Sequence, residues 1–205
     1  MPPFINGLLF GLIFIFILGP AFFALIQTSI QQGFRKAIFL AIGVSLSDCI
    51  YVLIVLFGLA KFLQGEDFKF WMALFGAGVL ISYAAYSWFK KPQIVDREEN
   101  SESNYGRNLL KGLLLNGLNP FIIVFWATWV SNIAVSYNYG FTEQVQFFAA
   151  MLLTIVCLDI TKAFVAHRLK HLITLKFIRN MNRSIAVILL LFSVQMVYFL
   201  YQNFG

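Results

Sequence analysis

Long apolar stretches alternate with short polar connections along the whole chain. A helix that crosses a bilayer needs about 20 predominantly apolar residues, and the sequence contains six stretches of about this length. None of them shows the strict apolar–polar alternation that is typical of a transmembrane β-strand. The pattern therefore predicts six transmembrane helices, over residues 4–26, 37–59, 70–89, 109–135, 145–165 and 185–204.

The composition supports a membrane protein and excludes several other classes. Of the 205 residues, 60% are hydrophobic and only 12% are charged, whereas about 25% of the residues in a soluble domain are charged. Intrinsic disorder requires low hydrophobicity, and two cysteines are too few for a disulfide scaffold. The net charge of +6 does not by itself indicate nucleic acid, because that partner requires a basic patch on a water-exposed face. We expect membrane lipid and a small molecule as partners, and no nucleic acid.

The positions of Lys and Arg predict the orientation of the chain. Basic residues concentrate in cytoplasmic loops, and here the first, third and fifth connections carry most of them, whereas the even-numbered connections carry Lys61 and Lys69. We therefore expect the odd-numbered loops in the cytoplasm and both termini outside. The basic residues of the three odd-numbered connections are Arg35 and Lys36, then Lys90, Lys91, Arg97, Arg107 and Lys111, and finally Arg168, Lys170, Lys176, Arg179 and Arg183.

A polar linker over residues 90–108 divides the single membrane domain, 1–205, into halves at 1–89 and 109–205. Each half contains three predicted helices, so the second half starts on the opposite side of the membrane from the first. Related halves must then be inverted repeats, an arrangement typical of many secondary transporters. The predicted fold is thus an all-α integral membrane protein made of two inverted three-helix repeats. The two halves share three features. Each has a proline in its first helix, an acid in its second helix and a cysteine near that acid: Gly19-Pro20 and Asn119-Pro120, Asp48 and Asp159, and Cys49 and Cys157.

The two prolines are predicted to break the first helix of each half. Proline lacks a backbone N–H and clashes with the preceding turn, and the freed carbonyls at membrane depth must be satisfied by protein or by a water-filled cavity. Substrate sites are often built from such broken helices, although a kink used only for packing is the other interpretation. The candidate substrate-binding residues at the breaks are Gly19, Pro20, Asn119 and Pro120.

Two acids lie inside predicted helices. A charged Asp near the bilayer centre costs at least about 2.5–3.5 kcal/mol, so Asp48 is expected to face the interior and to carry a coupling proton. Ser45 and Tyr51 lie three residues to either side on the same helix face, which makes them candidates for substrate binding. Asp159 has Lys162 at ion-pair spacing, so Asp159 is either a second proton-coupling acid or a structural partner of Lys162.

Two other functions use the same residues. An exporter of metal ions or other cations could use Asp48 and Asp159, although the predicted helices add no Glu or His to complete such a site. A thiol–disulfide electron carrier could use Cys49 and Cys157, although neither belongs to a Cys-x-x-Cys motif that would lower its pKa. Replacing both cysteines by serine discriminates, because an exporter survives the change and a thiol carrier does not.

Metal and cofactor signals are weak. His167 and His171 lie four residues apart in the basic fifth loop, with no acid or cysteine close in sequence to complete a site. We therefore expect no metal and no cofactor. The amphipathic fifth loop and the small residues of the third predicted helix suit a homodimer.

Three segments resemble the LysE/RhtB family of amino-acid exporters. The first is LGPAFFALIQTSIQQGFRKAIFLAIGVSLSD (18–48), which contains the Gly-Pro break and the first acid. The second is NGLNPFIIVFW (116–126) and the third is IVCLDITKAFVA (155–166). Together with the length, the six predicted helices and the polar linker, they extend the resemblance over the whole chain.

The resemblance implies export of amino acids or related small metabolites across the bacterial inner membrane, driven by the proton-motive force, and no enzymatic activity. Members often have Pro where this chain has Leu18, and many have Lys where it has Phe121. These departures bear on the choice of substrate. Carried over residue by residue, the resemblance points to Gly19, Pro20, Asp48, Asn119, Pro120 and Asp159.

Overall fold

A computed structural model describes residues 2–16, 19–57, 65–91, 105–119, 122, 125–126, 137–172 and 174–204. Every regular element in this part of the chain is helical, and none is a strand. Short 3₁₀ turns at Ile13–Ile15 and Leu169–Leu172 continue two of the helices. The helices are α1 (Pro3–Leu12), α2 (Pro20–Gln32), α3 (Phe34–Leu56), α4 (Glu66–Phe89), α5 (Tyr105–Gly117), α6 (Phe141–Arg168) and α7 (Leu175–Phe204).

Four of these helices are long and apolar enough to cross a bilayer, namely α3, α4, α6 and α7. A fifth span is formed if α1 with its 3₁₀ turn is combined with α2, and these two parts meet at an angle of 74°. The break falls where the Gly-Pro sequence predicts it, since α2 begins at Pro20 after the extended Gly19. Proline suits this first helical position because its missing N–H has no partner there in any case. The chain is a multi-pass membrane protein.

The second predicted break is only partly visible. The fourth predicted span covers 109–135, and within it α5 ends at Gly117. Pro120 lies outside the described residues, as does most of the chain that follows it as far as residue 136.

Two helices, α2 and α7, extend by six or more residues beyond one end of the predicted span. The first predicted span ends at residue 26, but α2 continues to Gln32 and α3 starts two residues later, so Arg35 and Lys36 lie in the first turn of α3 instead of a loop. Likewise α7 starts at Leu175 instead of 185. In these extensions a buried amide pair joins the two helices, because the Gln27 side chain donates to Asn182 Oδ1 at 2.9 Å. Polar residues that resemble a loop in sequence satisfy one another inside the bundle.

Close helix contacts occur at glycines. A Cβ atom on Gly43 would overlap the carbonyl of Leu109, and one on Gly112 would overlap the carbonyl of Leu40, so α3 and α5 touch through their backbones. The α1–α6 pair is built in the same way at Gly7. Small residues allow such approach between membrane helices. A third pair of helices with an extensive contact is formed by α4 and α7.

Candidate functional site

The carboxylate of Asp48 is the most enclosed acid of the described chain. Its residue is 3% exposed on α3, and Oδ1 accepts hydrogen bonds from Asn116 Nδ2 at 2.8 Å and from Trp126 Nε1 at 2.9 Å. Both donors are neutral. They orient and solvate the carboxylate without supplying a countercharge, which leaves the acid able to bind a proton or a cation.

Side chains from α3 hold the end of α5 beside this acid. Asn116 also donates to Ser47 Oγ at 2.7 Å, and the hydroxyl of Tyr51 donates to the carbonyl of Gly117 at the end of α5. A carbonyl at a helix end has no partner within the helix. Tyr51 therefore supports the second break, and its position next to Asp48 follows from its place one turn further along α3.

Lys162 plays the corresponding part at the first break. Its ammonium lies 3.1 Å from the carbonyl oxygen of Phe14 in the 3₁₀ turn and 3.2 Å from Asp159 Oδ1. The predicted ion pair between Asp159 and Lys162 is present, with both side chains largely enclosed. One cation thus satisfies both a carbonyl freed at the helix break and the acid of the second half.

A small cavity lies between the two breaks. Its volume is about 50 Å³, which is enough for a few water molecules. An amino acid does not fit, so binding one requires the surrounding helices to move apart. Apolar side chains complete the wall, and its polar or backbone contributors are Gly19, Asp48, Asn116, Asn119, Asp159 and Lys162.

The structure therefore brings together several residues that the sequence places far apart. Gly19 and Asn119 face each other across the cavity, since a Cβ on Gly19 would lie 3.9 Å from Asn119 Nδ2. Asp48 and Asp159 line the same wall. Pro20 is the first residue of α2, directly after Gly19.

The remaining candidates, Ser45 and Tyr51, lie near Asp48 on α3 but bond to backbone carbonyls. Ser45 donates to the carbonyl of Ala41 at 3.0 Å, within its own helix, and neither Ser45 nor Tyr51 is among the described residues that line the cavity. Of the two, Tyr51 joins α3 to α5 through the carbonyl of Gly117.

Sequence reasoning missed the two donors to Asp48. Asn116 and Trp126 are the first and last residues of the segment NGLNPFIIVFW. Asn116 carried a usable signal, because a polar amide in an apolar stretch needs a partner. Trp126 carried none, since a tryptophan in a membrane helix is ordinarily apolar bulk or an interface anchor, yet it is fully buried here.

Comparison with known proteins places this arrangement in a family. Residues 12–199 match the family model described as LysE type translocator. The chain belongs to this family. The match covers α2 to α6 completely and most of α7, and therefore includes both helix breaks and both acids.

Named relatives of this LysE type translocator extend the comparison. The chain is 28% identical over 205 residues to "Putative amino acid efflux protein YcgF" of Bacillus subtilis (strain 168), with 98% of this chain and 96% of that protein covered. It is 26% identical over 139 residues to "Threonine efflux protein" of Escherichia coli (strain K12), with 65% and 67% covered. "Uncharacterized membrane protein slr1627" of Synechocystis is 27% identical over 156 residues, with 75% of each chain covered. No solved structure matches.

The geometry of the described residues adds no support to the two alternative functions, a cation exporter and a thiol–disulfide electron carrier. Within the described residues, no group of three His, Cys, Asp or Glu side chains could hold a metal ion. Cys49 is half-buried on α3 and Cys157 is exposed on α6, and both are free thiols. His171 belongs to the 3₁₀ turn after α6, and His167 lies at the end of α6.

Proposed function

We propose that this LysE type translocator is a secondary exporter of amino acids or related small metabolites. One observation carries the proposal: Asp48, Asp159 and Lys162 line a single cavity between the two helix breaks. The printed names of two relatives, which describe amino acid efflux and threonine efflux, support the same substrate class.

The charges around the cavity are complementary to an amino acid. An α-ammonium group requires an anionic partner, and the two described donors to the Asp48 carboxylate, Asn116 and Trp126, are both neutral. An α-carboxylate requires a cation or free N–H groups, which Lys162 and the first turn of α2 at Gly19-Pro20 supply. Substrate binding then replaces part of the Lys162–Asp159 pair.

Proton coupling is assigned to Asp48. A carboxyl group that holds a proton donates one hydrogen bond, whereas a carboxylate only accepts, so protonation changes how Asp48 holds Asn116 and Trp126. Because Asn116 is at the end of α5 and Trp126 follows the second break, a proton on Asp48 alters the contact between the halves. Competition between a proton and a substrate ammonium for one carboxylate produces exchange of the two across the membrane.

Alternating access is assigned to movement of the two halves as inverted repeats. In this scheme α1 and α5 are equivalent, as are α3 and α6, and the backbone contact of α5 on α3 corresponds to that of α1 on α6. The halves are 1–89 and 109–205, joined by the linker at 90–108. Rocking of such repeats exposes a site at their interface to each side in turn.

The orientation follows from the distribution of basic residues. We place the protein in the bacterial inner membrane with both termini outside and the linker in the cytoplasm. Export then moves substrate from the side of Lys90 and Arg107 to the side of the termini.

The test is efflux from proteoliposomes loaded with a mixture of amino acids and related metabolites, with and without an imposed pH gradient. We expect one or a few solutes to leave faster with the gradient. Asp48→Asn keeps the size of the side chain but removes the proton site, so the gradient-driven part of the efflux falls to the level of empty liposomes.

The matched control is Asp67→Asn, which makes the same change at an exposed acid in the first turn of α4 and should transport normally. Size-exclusion chromatography shows whether each variant remains folded. Unchanged coupled export by Asp48→Asn contradicts the role of Asp48. If folded wild-type protein moves no solute of the mixture, the proposed substrate class is wrong.

A further inference from the structure

A second, larger cavity lies between α2, α4 and α5. Its volume is about 840 Å³, against about 50 Å³ for the cavity around Asp48, and none of its lining residues is shared with that site. Its wall is apolar along one part and strongly basic at one end. The strongly basic end has no counterpart in the described lining of the cavity around Asp48.

The apolar part is a groove along α4 that opens to the side of the bundle. Leu74, Phe75 and Leu110 line it and are among the exposed large hydrophobic residues, with Phe75 59% exposed. Along α4 and the residue that follows it, the lining extends from Leu74 to Lys90, which corresponds to about 24 Å at the rise of a helix. Half of the hydrocarbon core of a bilayer is about 15 Å thick, so the groove is long enough for an acyl chain.

The basic end collects four cations: Lys36, Lys90, Arg107 and Lys111 line it. No Asp or Glu is among the described residues of the lining. Lys36 is only 6% exposed. Like charges gathered in a partly enclosed space repel one another, so an anion that binds there lowers the energy of the whole group.

Within the described part of the chain, three of these cations, Lys90, Arg107 and Lys111, contact neutral groups. The ammonium of Lys111 lies 3.2 Å from Thr28 Oγ1 and 4.2 Å from the centre of the Tyr83 ring. Lys90 and Arg107 lie over the ring of Tyr86 at 5.4 and 5.9 Å. Burial and the neighbouring Arg107 guanidinium lower the pKa of Lys90 to about 8, which is the direction expected for an ammonium group beside another cation.

We propose that this groove binds one anionic phospholipid, with its phosphate at Lys90, Arg107 and Lys111 and an acyl chain along α4. A zwitterionic amino acid has no net charge to balance four cations. It also lacks a long hydrocarbon chain that could cover the apolar wall. Basic pockets between membrane helices on the cytoplasmic side bind anionic headgroups, and the distribution of basic residues predicts that this end faces the cytoplasm.

The test measures lipid retention, which is independent of transport. Full-length protein is purified in a mild detergent, incubated with phosphatidylglycerol or phosphatidylcholine of identical chains, and analysed by native mass spectrometry. We expect one phosphatidylglycerol per chain to be retained in preference to phosphatidylcholine. The double variant Lys90→Gln/Arg107→Gln should weaken that retention about 25-fold, at about fivefold for each charge.

A matched control removes the same charge elsewhere. Lys176→Gln/Arg179→Gln alters two exposed basic residues of α7 on the same predicted side of the membrane, outside the groove. It should retain phosphatidylglycerol as the wild type does. An equal loss in this control means that the lipid follows overall charge, and that outcome overturns the proposal.

A second variant fills the groove without changing any charge. A Cβ on Gly78 would have no atom within 4 Å, and Gly78 lines the cavity, so Gly78→Leu projects a side chain into the space assigned to the acyl chain. It should reduce retention of the lipid by at least about fivefold. Ala85→Leu, at an exposed position of the same helix outside the lining, should leave retention unchanged.

Several outcomes would overturn the proposal. Equal retention of the two lipids removes the preference for an anion, and full displacement by free glycerol phosphate indicates an anion site without an acyl chain. A dimer that dissociates in Gly78→Leu indicates that a second copy of the chain covers the groove. Lipid binding that appears only after Asp96, Glu98, Glu99 and Glu102 of the linker are neutralised indicates that acids of the chain itself occupy the basic end.

Discussion

At the scale of single residues, the site depends on polar side chains that have partners from the opposite half of the chain. Asp48 belongs to the first half, and both of its donors, Asn116 and Trp126, belong to the second. Lys162 belongs to the second half and binds the carbonyl of Phe14 in the first. Each half therefore completes the polar groups of the other, and removing one partner leaves a buried group unsatisfied.

Substitutions at Asp159 and Lys162 can separate the contribution of this ion pair to stability from its contribution to transport. Lys162→Met leaves the Asp159 carboxylate without its cation and the Phe14 carbonyl without its donor, so we expect a loss of about 1–3 kcal/mol in stability. The double variant Asp159→Asn/Lys162→Met should recover most of this stability, because the unpaired charge is gone, yet transport should stay at least about tenfold below the wild type. Thermal unfolding and proteoliposome efflux measure the two quantities.

Lys176→Met is the control for that cycle, because Lys176 is exposed on α7 and should tolerate the change in both measurements. Wild-type transport by the double variant contradicts a functional role of this pair. Asp159 and Lys162 would then be structural partners only.

At the scale of helices, glycines decide which surfaces meet. The backbones of α3 and α5 touch at Gly43 and Gly112, and this contact places Asn116 next to Asp48. The sequence contains 14 glycines, and the sequence pattern does not distinguish those at a contact from those with open space around them. Gly78, for example, has no atom near the position of a Cβ.

We therefore predict opposite results for two identical substitutions. Gly112→Ala forces α5 away from the carbonyl of Leu40 and should cost about 1–3 kcal/mol through overpacking. Gly78→Ala meets no atom and should be neutral or stabilising by up to about 1 kcal/mol, because alanine favours a helix over glycine. Thermal unfolding in detergent compares them, and equal stability of the two variants would contradict the close α3–α5 contact.

At the scale of the whole molecule, the proposed direction of export depends on the orientation of the chain in the membrane. With both termini outside, Asn203 at the end of α7 and Lys91 after α4 lie on opposite sides of the membrane, and both are exposed. In a Cys49→Ser/Cys157→Ser background, which should retain transport, a membrane-impermeant maleimide is expected to label Asn203→Cys in intact spheroplasts. Lys91→Cys should be labelled only after lysis.

The reverse labelling pattern would contradict the predicted orientation, and labelling of both sites before lysis would place them on the same side. Loss of transport in the cysteine-free background would instead favour the thiol carrier over the exporter. The labelling pattern and the transport activity are independent results, since labelling does not require activity.

The sequence alone determined what depends on local composition. Apolar length predicted the membrane class and the long helices α3, α4, α6 and α7, because burial of about 20 apolar residues in lipid needs no knowledge of neighbours. The first break was predicted at Gly19-Pro20 because the geometry of proline is a property of the chain itself. Asp48 was singled out for the same reason, since an acid at membrane depth is costly in any fold.

Only the tertiary structure decided which distant residues share a site. The buried Gln27–Asn182 contact joins α2 to α7, and the surroundings of Asp48 depend on the approach of α5 to α3. Such contacts join residues widely separated in sequence, and local patterns do not encode them. The groove along α4 is likewise invisible in the sequence, because the basic residues at its end come from three different helices or their ends and face one space only after those helices have packed.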